Sequence, residues 1–293
     1  MIIAIDMDGT LLNSEGKVPA ENVEAIKNAQ RAGVKVVIAT GRSYEDAMRP
    51  LQPFDLKLPK ICANGADVRD EEGNVLHRQS LEEQDIQNAM NLRFHNDEEV
   101  YFEMYVQDGV YTYENAGDVM KAEADRVRSS NEKISRFELD LLAAKQSQQA
   151  GVTFLPKEQL MKKALQEDTN IFKFLFFSFD LNKLQVVKDE LGKSDNVAIS
   201  SSALHNVEVN HLKATKGIAL RKMAEHLKVD MKHSVAIGDN RNDISMFNEA
   251  ATSFGMGNGD PEVQSLCDYV TETNDNNGVA KAIEKVLKSS LKA

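Results

Sequence analysis

Three segments of the chain carry nearly continuous runs of apolar, mostly β-branched residues, and each run stops at a polar residue. The segments are IIAID at 2–6, KVVIAT at 35–40 and SVAIGD at 234–239. A strand that is buried on both faces of a parallel sheet has this composition, because it has no polar face to turn toward water. The pattern therefore predicts three strands in the interior of a parallel sheet.

Helical periodicity separates the first two of these strands and follows the second. Apolar residues recur at helical spacing within 20–32, and Gly33 is a residue type that commonly ends a helix. Ser43 followed by Asp46 resembles a capping box, which predicts a second helix directly after the second strand. A return strand is then expected at 60–64. These segments predict a β-α-β arrangement in which helices cover the sheet.

The pattern changes in the middle of the chain and then returns. Strands rich in aromatic residues are predicted at 101–106, 109–114 and 172–179, and helices at about 117–150 and 181–192. Of the 18 aromatic residues, 13 lie between 83 and 200, which indicates a separate core for this segment. After 201 the pattern predicts helices at 215–228, at 242–249 and from 277, and strands at 252–256 and 268–271. We expect one α/β core formed by residues 1–82 and 201–293, interrupted by an inserted domain at 83–200.

Composition and charge narrow the classes of partner. The 293 residues are 42% hydrophobic and 28% charged, as in an ordinary globular protein. The formal net charge of -11 argues against binding to nucleic acid or to an anionic membrane, whereas a small phosphorylated ligand needs only a local positive pocket. The two cysteines, Cys62 and Cys267, are far apart, and Asp6 interrupts the N-terminal apolar run. A cytoplasmic protein with neither signal peptide nor membrane span is therefore expected.

Polar residues cluster where the predicted strands end and the following helices begin. In open α/β sheets, ligands bind outside the carboxyl ends of the strands, so residues that are distant in sequence are expected to converge there. The clusters are Asp6 with Asp8, Thr40-Gly41-Arg42, the segment 239–243 and Lys216.

Asp6 and Asp8 stand directly at the end of the first predicted strand. Two carboxylates in that position repel each other and are costly to desolvate, so the pair requires a bound cation or protonation of a carboxyl group. A hard cation such as Mg²⁺ fits, with Asp239 or Asp243 as a further ligand. Gly9 lets the backbone turn sharply enough to direct both carboxylates to one point. A helix-loop-helix calcium site does not fit, because the glycine and glutamate that its loop requires are missing from the corresponding positions.

Lys216 and the Thr40-Gly41 pair are candidates for anion binding. Lysine in the first turn of a helix is locally unfavourable, and an anion held between Lys216 and the helix end would remove that conflict, although a solvated lysine fits equally well. Thr40 and Gly41 offer a hydroxyl and backbone N–H groups at a strand-to-helix turn. Arg42 is interpreted as a surface residue. A divalent metal facing phosphate-sized donors indicates phosphoryl transfer.

Four motifs in order along the chain carry a family resemblance: DMDGTLL, ATGR, TKG and GDNRNDISM. Together they resemble the signature of the haloacid dehalogenase (HAD) superfamily of phosphohydrolases. CANGADV at 62–68 and the segments 255–263 and 269–283 are similar to the Cof-like branch, subfamily IIB. The resemblance implies an α/β fold, with a doubly wound parallel-sheet (Rossmann-like) core and an inserted α+β cap of the C2B type. The cap would close over the site and contact the leaving group.

The resemblance also implies a role for each motif residue. Asp6 would be the nucleophile that forms an aspartyl-phosphate, and Asp8 would protonate the leaving oxygen and then deprotonate water. Mg²⁺ would be bound by the carboxylates of Asp6 and Asp239 and by the backbone carbonyl of Asp8. Asp243 would bind the metal either directly or through a metal-bound water. The groups expected to bind the phosphoryl group are the backbone N–H of Met7 and residues Thr40, Gly41, Lys216 and Asn242.

The sequence departs from the family pattern in the residues before TKG. Asn210 to Ala214 replace the usual lead-in, which makes Lys213 a rival for the third-motif lysine, although the helical spacing after it favours Lys216. We predict a Mg²⁺-dependent phosphatase of small phosphorylated metabolites, such as sugar phosphates or phosphorylated cofactor intermediates. The alternatives are a phosphomutase of the same superfamily and a non-catalytic phosphate-binding or phosphoacceptor protein.

Overall fold

A computed structural model describes residues 1–92, 99–130 and 151–290 of the chain. The chain divides into two compact units. The first unit consists of Met1–Gln79 with Ala214–Ala293, and the second unit of Ser80–Lys213. The chain returns to the first unit at Ala214 rather than at the expected residue 201, because a strand at Asn206–His211 pairs within the second unit. The predicted helix at 117–150 lies outside the described residues from position 131 onward.

Strands and helices are numbered along the described chain. The strands are β1 (Ile2–Ile5), β2 (Lys35–Ala39), β3 (Lys60–Cys62), β4 (Asp67–Arg69), β5 (Val75–Arg78), β6 (Tyr101–Val106), β7 (Gly109–Tyr113), β8 (Val152–Leu155), β9 (Ile171–Phe177), β10 (Val197–Ser200), β11 (Asn206–His211), β12 (Ser234–Gly238), β13 (Thr252–Gly255) and β14 (Tyr269–Val270). The α-helices are α1 (Ala20–Arg31), α2 (Tyr44–Met48), α3 (Glu83–Met90), α4 (Ala116–Ser130), α5 (Lys157–Ala164), α6 (Leu181–Leu191), α7 (Lys216–His226), α8 (Ile244–Glu249), α9 (Pro261–Ser265) and α10 (Gly278–Ser290).

The first unit is built on an eight-stranded sheet with the order β14-β13-β12-β1-β2-β3-β4-β5. Neighbouring strands are parallel from β14 to β3, and β4 and β5 extend the sheet in antiparallel fashion. The three apolar runs of the sequence are the central strands β12, β1 and β2, so that prediction is confirmed.

Helices cover both faces of this sheet, which is why its central strands are apolar throughout. Side chains alternate across β1, so that Ile3 and Ile5 lie in one buried cluster with residues of α1 and α10. Ile2 and Ala4 lie in a second cluster with residues of α7 and α8. The first unit is therefore a doubly wound parallel sheet, as predicted.

Side-chain caps fix the helices that begin beside the sheet. Ser43 Oγ accepts a hydrogen bond from the backbone N–H of Asp46 at 3.3 Å, so the predicted start of α2 is confirmed. Thr215 Oγ1 accepts from the backbone N–H of Ile218 at 3.2 Å, which makes Lys216 the first residue of α7. Each cap satisfies one backbone donor that the helix itself leaves unpaired.

The second unit has its own sheet and its own core. The strand order is β10-β11-β9-β6-β7-β8, and the pairs are antiparallel except for β7 with β8. The buried cluster of this unit includes Tyr101, Phe174 and Phe176, and burial of each such ring contributes roughly 1.5–3 kcal/mol. The aromatic residues of the middle segment thus form a separate core, as their distribution predicts. Within the described ranges, we find no helix with the length and hydropathy of a membrane span.

Candidate active site

The carboxyl ends of three central strands meet at one edge of the first sheet. Ile5 pairs with Ile237 of β12 on one side and with Ile38 of β2 on the other, so these strands end at nearly the same level. The residues that follow β1, β2 and β12 are Asp6, Thr40 and Asp239. The predicted convergence of motifs that are distant in sequence is therefore present in the fold.

Three aspartates form a compact group at this edge. Oxygen atoms of Asp6, Asp239 and Asp243 lie within 4.8 Å of one another. Burial raises the pKa of Asp6 well above its ordinary value, and the negative charge of Asp243 adds to this effect. Burial, followed by the charge of Asp243, also raises the pKa of Asp239 to about 6. A partly buried group of carboxylate oxygens with excess negative charge fits a hard divalent cation.

Lys216 bridges two of these carboxylates. Its Nζ donates to Asp6 Oδ1 and to Asp243 Oδ1, both at 2.6 Å, and the side chain is fully buried. Burial by itself lowers the pKa of Lys216, but the carboxylates of Asp243 and Asp6 outweigh it and leave that pKa above its ordinary value. The contacts explain a lysine in the first turn of a helix, because the two anions compensate for the helix dipole. The rival residue, Lys213, is exposed.

Asp243 is engaged through both of its carboxylate oxygens. Oδ1 accepts from Lys216, and Oδ2 accepts from the backbone N–H groups of Asp239 and Asn240 at 2.9 and 3.1 Å. Gly238 is close enough that a Cβ atom there would lie 2.5 Å from Asp243 Oδ2. Asp243 therefore fixes the backbone of the loop that carries Asp239.

Two contacts around Gly9 were missed from the sequence. Thr10 Oγ1 donates to Asp239 Oδ1 at 2.6 Å, and Asn258 Nδ2 donates to the carbonyl of Gly9 at 2.8 Å. Gly9 has a φ of 77°, and a Cβ atom there would lie 2.5 Å from Asp239 Oδ2. The sequence feature that could have indicated these contacts is the hydroxyl-bearing residue Thr10, directly after Gly9. These contacts fix the turn that follows Asp6.

The carboxylate of Asp8 lies outside the three-aspartate group. Its side chain is 60% exposed, and both of its oxygens accept hydrogen bonds from Arg42, from Nε at 2.8 Å and from Nη2 at 2.6 Å. Arg42 Nη1 also lies 3.1 Å from Asp46 Oδ2. Arg42, interpreted as a surface residue, has a side chain that is 25% exposed and is paired with both carboxylates.

The remaining motif residues lie along the same edge and are linked by hydrogen bonds. Thr40 is buried, and its carbonyl accepts from the backbone N–H of Asn64 at 3.0 Å. Asn242 Nδ2 donates to Asn64 Oδ1 at 3.3 Å. Met7 is buried and Gly41 is half-buried. The segment 62–68, which was noted only for its family resemblance, therefore connects the second and fourth motifs through Asn64.

Comparison with known proteins identifies the class to which this fold and site belong. A family model for haloacid dehalogenase-like hydrolases matches residues 3–283. The chain therefore belongs to this family, as the order of the four motifs indicated, and to its Cof-like subfamily IIB, as the segments 62–68, 255–263 and 269–283 indicated.

Two relatives and one solved structure are similar over nearly the whole chain. Phosphatase YwpJ of Bacillus subtilis (strain 168) is 35% identical over 286 residues, which cover 98% of this chain and 99% of YwpJ. The 5-amino-6-(5-phospho-D-ribitylamino)uracil phosphatase YwtE of the same organism is 36% identical over 285 residues, 97% of each chain. A haloacid dehalogenase-like hydrolase from B. subtilis has a similar structure, with a TM-score of 0.82, 34% identity and coverage of 97% of this chain and 98% of that one. The chain is accordingly a hydrolase of phosphate esters.

Proposed function

We propose that the protein is a Mg²⁺-dependent phosphatase of small phosphomonoesters, which transfers the phosphoryl group first to Asp6 and then to water. The observation that carries the proposal is the group formed by Asp6, Asp239 and Asp243, with Lys216 bridging two of the three. The family supplies the reaction class. The metal, the covalent intermediate and the role of each residue are our proposal.

The proposed metal ligands are the carboxylates of Asp6 and Asp239 and the backbone carbonyl of Asp8. Bound there, Mg²⁺ would offset the excess negative charge and polarise the phosphoryl oxygens. Asp243 fixes the loop that carries Asp239, because the carboxylate oxygens of Asp243 accept hydrogen bonds from two backbone N–H groups and from the ammonium group of Lys216. Thr10 orients Asp239 through the hydrogen bond to Oδ1.

The proposed chemistry divides one displacement into two easier steps. A carboxylate oxygen of Asp6 attacks phosphorus, the bond from phosphorus to the leaving oxygen breaks, and Asp8 gives that oxygen its proton. Water then attacks the aspartyl-phosphate, Asp8 takes a proton from this water, and the bond from phosphorus to Asp6 breaks to release inorganic phosphate. Lys216 holds the nucleophile in place through the contact with Oδ1.

Donors at the same edge of the sheet are proposed to bind the transferring phosphoryl group. They are the backbone N–H of Met7 and residues Thr40, Gly41, Lys216 and Asn242. Support comes from the register of the sheet, which ends β1, β2 and β12 at one level and so places the loops that follow them side by side. Such donors stabilise the charge that spreads over the phosphoryl oxygens during transfer.

The proposed substrates are sugar phosphates and phosphorylated cofactor intermediates. The name of the relative YwtE describes a substrate of the second kind, a phosphorylated ribityl chain attached to a uracil ring. Like a sugar phosphate, that substrate is a phosphomonoester of a polyhydroxylated carbon chain. Release of inorganic phosphate from such an ester separates a phosphatase from a phosphomutase, which would return an isomerised sugar phosphate.

The test is a panel of phosphomonoesters assayed with Mg²⁺ and with EDTA. We expect phosphate release only with the metal, and a loss of at least about a thousandfold in Asp6→Asn. Asp55→Asn is the matched control, since Asp55 is an exposed aspartate of the same unit and should keep its activity. Turnover in EDTA, or an active Asp6→Asn variant, would refute the proposed mechanism.

A further inference from the structure

The ion pair between Asp8 and Arg42 points to a residue role that the motifs do not assign. We propose that Arg42 is a positioning residue, which fixes the side chain of Asp8 for proton transfer to the leaving oxygen. The inference rests on the proposed function, in which Asp8 supplies that proton. Its basis is the pair of hydrogen bonds from Nε and Nη2 to the two carboxylate oxygens, at 2.8 and 2.6 Å.

The side chain of Asp8 needs such a partner because it is mostly exposed and little else restricts its rotamer. Its side chain is 60% exposed and lies apart from the three buried or partly buried aspartates that interact with one another. Among the described residues, the side chain that donates hydrogen bonds to the Asp8 carboxylate is that of Arg42. An exposed carboxylate without a partner samples several rotamers, and each misplaced rotamer is unable to reach the leaving oxygen.

Arg42 is itself held in place, so it is able to fix another side chain. Nη1 lies 3.1 Å from Asp46 Oδ2, in the first turn of α2. The backbone of Arg42 is fixed at both ends, since its N–H donates to Thr40 Oγ1 at 3.2 Å and its carbonyl accepts from Ala63 at 2.8 Å. The guanidinium group therefore has a defined position next to the site.

The two-pronged contact is suited to a carboxyl group that must give up a proton. When Asp8 carries its proton on the oxygen that turns to the leaving group, that oxygen no longer accepts from Arg42, and the second N–H of Arg42 still donates to the other oxygen. A planar guanidinium group allows this, whereas the compact ammonium group of lysine offers no such paired geometry. Arg42→Lys should therefore keep only part of the function.

Two other roles for Arg42 predict different kinetics. A merely structural ion pair near the surface contributes little to stability. Its loss would lower the activity on all substrates by the same small factor. A phosphate-binding role would raise KM for every ester. Positioning of Asp8 instead predicts selectivity for the leaving group, because an alkoxide must be protonated as it departs and 4-nitrophenolate need not be.

The experiment compares kcat/KM for 4-nitrophenyl phosphate with kcat/KM for the alkyl phosphate that the wild type hydrolyses best. We expect Arg42→Gln to lose at least about tenfold more activity on the alkyl ester, and Arg42→Lys to show a smaller loss of the same kind. Arg49→Gln is the control, since Arg49 also contacts Asp46, at 3.5 Å, and should show no such selectivity. Equal losses on both esters in the two Arg42 variants would overturn the inference.

A double substitution separates this inference from the proposed function. In an Asp8→Asn background, Arg42→Gln should lower kcat/KM by less than about threefold, because the side chain at position 8 is no longer able to transfer a proton to the leaving oxygen. A full additional loss would assign Arg42 a role that is independent of Asp8. If Asp8→Asn itself shows no leaving-group selectivity, the acid role of Asp8 fails and the inference fails with it. Selectivity in Asp8→Asn but not in the Arg42 variants overturns the inference alone.

Discussion

Replacing Lys216 by methionine tests how the aspartate group is stabilised. The substitution keeps most of the side-chain volume but removes the ammonium group that donates to Asp6 and Asp243 at 2.6 Å each. With all three aspartates ionised, the formal charge of the group changes from two negative charges to three. Removal of one partner from a buried ion pair typically costs about 3–5 kcal/mol, because the remaining charge is left uncompensated. We expect a loss of this size in the free energy of unfolding at neutral pH without metal.

The loss should depend on pH in a defined direction. The pKa of Asp6 and the pKa of Asp239, which is about 6, are already raised by burial, and Lys216 opposes that shift for both residues. Without Lys216 both pKa values rise further. A carboxyl group with a raised pKa in the folded state favours folding at low pH, and this contribution is lost as the pH rises through that value. The destabilisation should therefore be smaller near pH 5 than near pH 8.

Urea unfolding in EDTA, followed by circular dichroism at both pH values, measures this effect. Lys213→Met is the matched control, since Lys213 is exposed and lies three residues earlier in the chain. Addition of Mg²⁺ should recover part of the stability of Lys216→Met, because the cation replaces the missing positive charge. A loss in Lys216→Met that equals the loss in Lys213→Met, or that does not change with pH or metal, would refute the electrostatic explanation.

Three further predictions concern the same edge of the sheet. Gly9→Ala should lower stability by at least about 1 kcal/mol in urea unfolding and abolish Mg²⁺-dependent activity, because φ is 77° and the new Cβ would lie 2.5 Å from Asp239 Oδ2. Unchanged Mg²⁺ activation would contradict this. Thr10→Val removes the 2.6 Å hydrogen bond to Asp239, so half-maximal activation in a titration should need about tenfold more Mg²⁺, and an unaltered midpoint would count against the orienting role. Mg²⁺ at about 100 times its dissociation constant should stabilise the wild type by about 2.7 kcal/mol in thermal or urea unfolding, and an equal gain in Asp239→Asn would exclude Asp239 as a ligand.

The parts of the fold that the sequence predicted are those with a local signal. The central strands β1, β2 and β12 are apolar on both faces, and this composition is sufficient to predict a buried parallel sheet. The start of α2 was predicted because Ser43 and Asp46 are only three residues apart. Convergence of Asp6, Asp239 and Asp243 followed from the general rule for strand ends, whereas the carboxylate of Asp8, which was expected to be directed to the same point as that of Asp6, lies outside this group. In each case the prediction needed only neighbouring residues or a property shared by all parallel sheets.

The features that were not predicted depend on pairs of residues far apart in the chain. Asp8 and Arg42 are 34 residues apart, and neither periodicity nor residue type indicated that they form an ion pair. Thr10 and Asp239 are 229 residues apart. The strand β11 has an ordinary sequence, and its pairing with β9 and β10 assigns it to the second unit. Long-range pairing of this kind leaves no pattern in a short window of sequence.

The position of β1 between β2 and β12 sets the order in which the protein is able to mature during synthesis. Ile2 is synthesised before the whole of the second unit, yet one of its partners in the sheet is Ser234, which is synthesised after it. The second unit, with its own buried core, is synthesised in between and is able to fold while the first unit still lacks β12, β13 and β14, three of its eight strands. Asp6 is therefore synthesised long before Lys216, Asp239 and Asp243. A nascent chain that ends before these residues has the proposed nucleophile but lacks the proposed metal site.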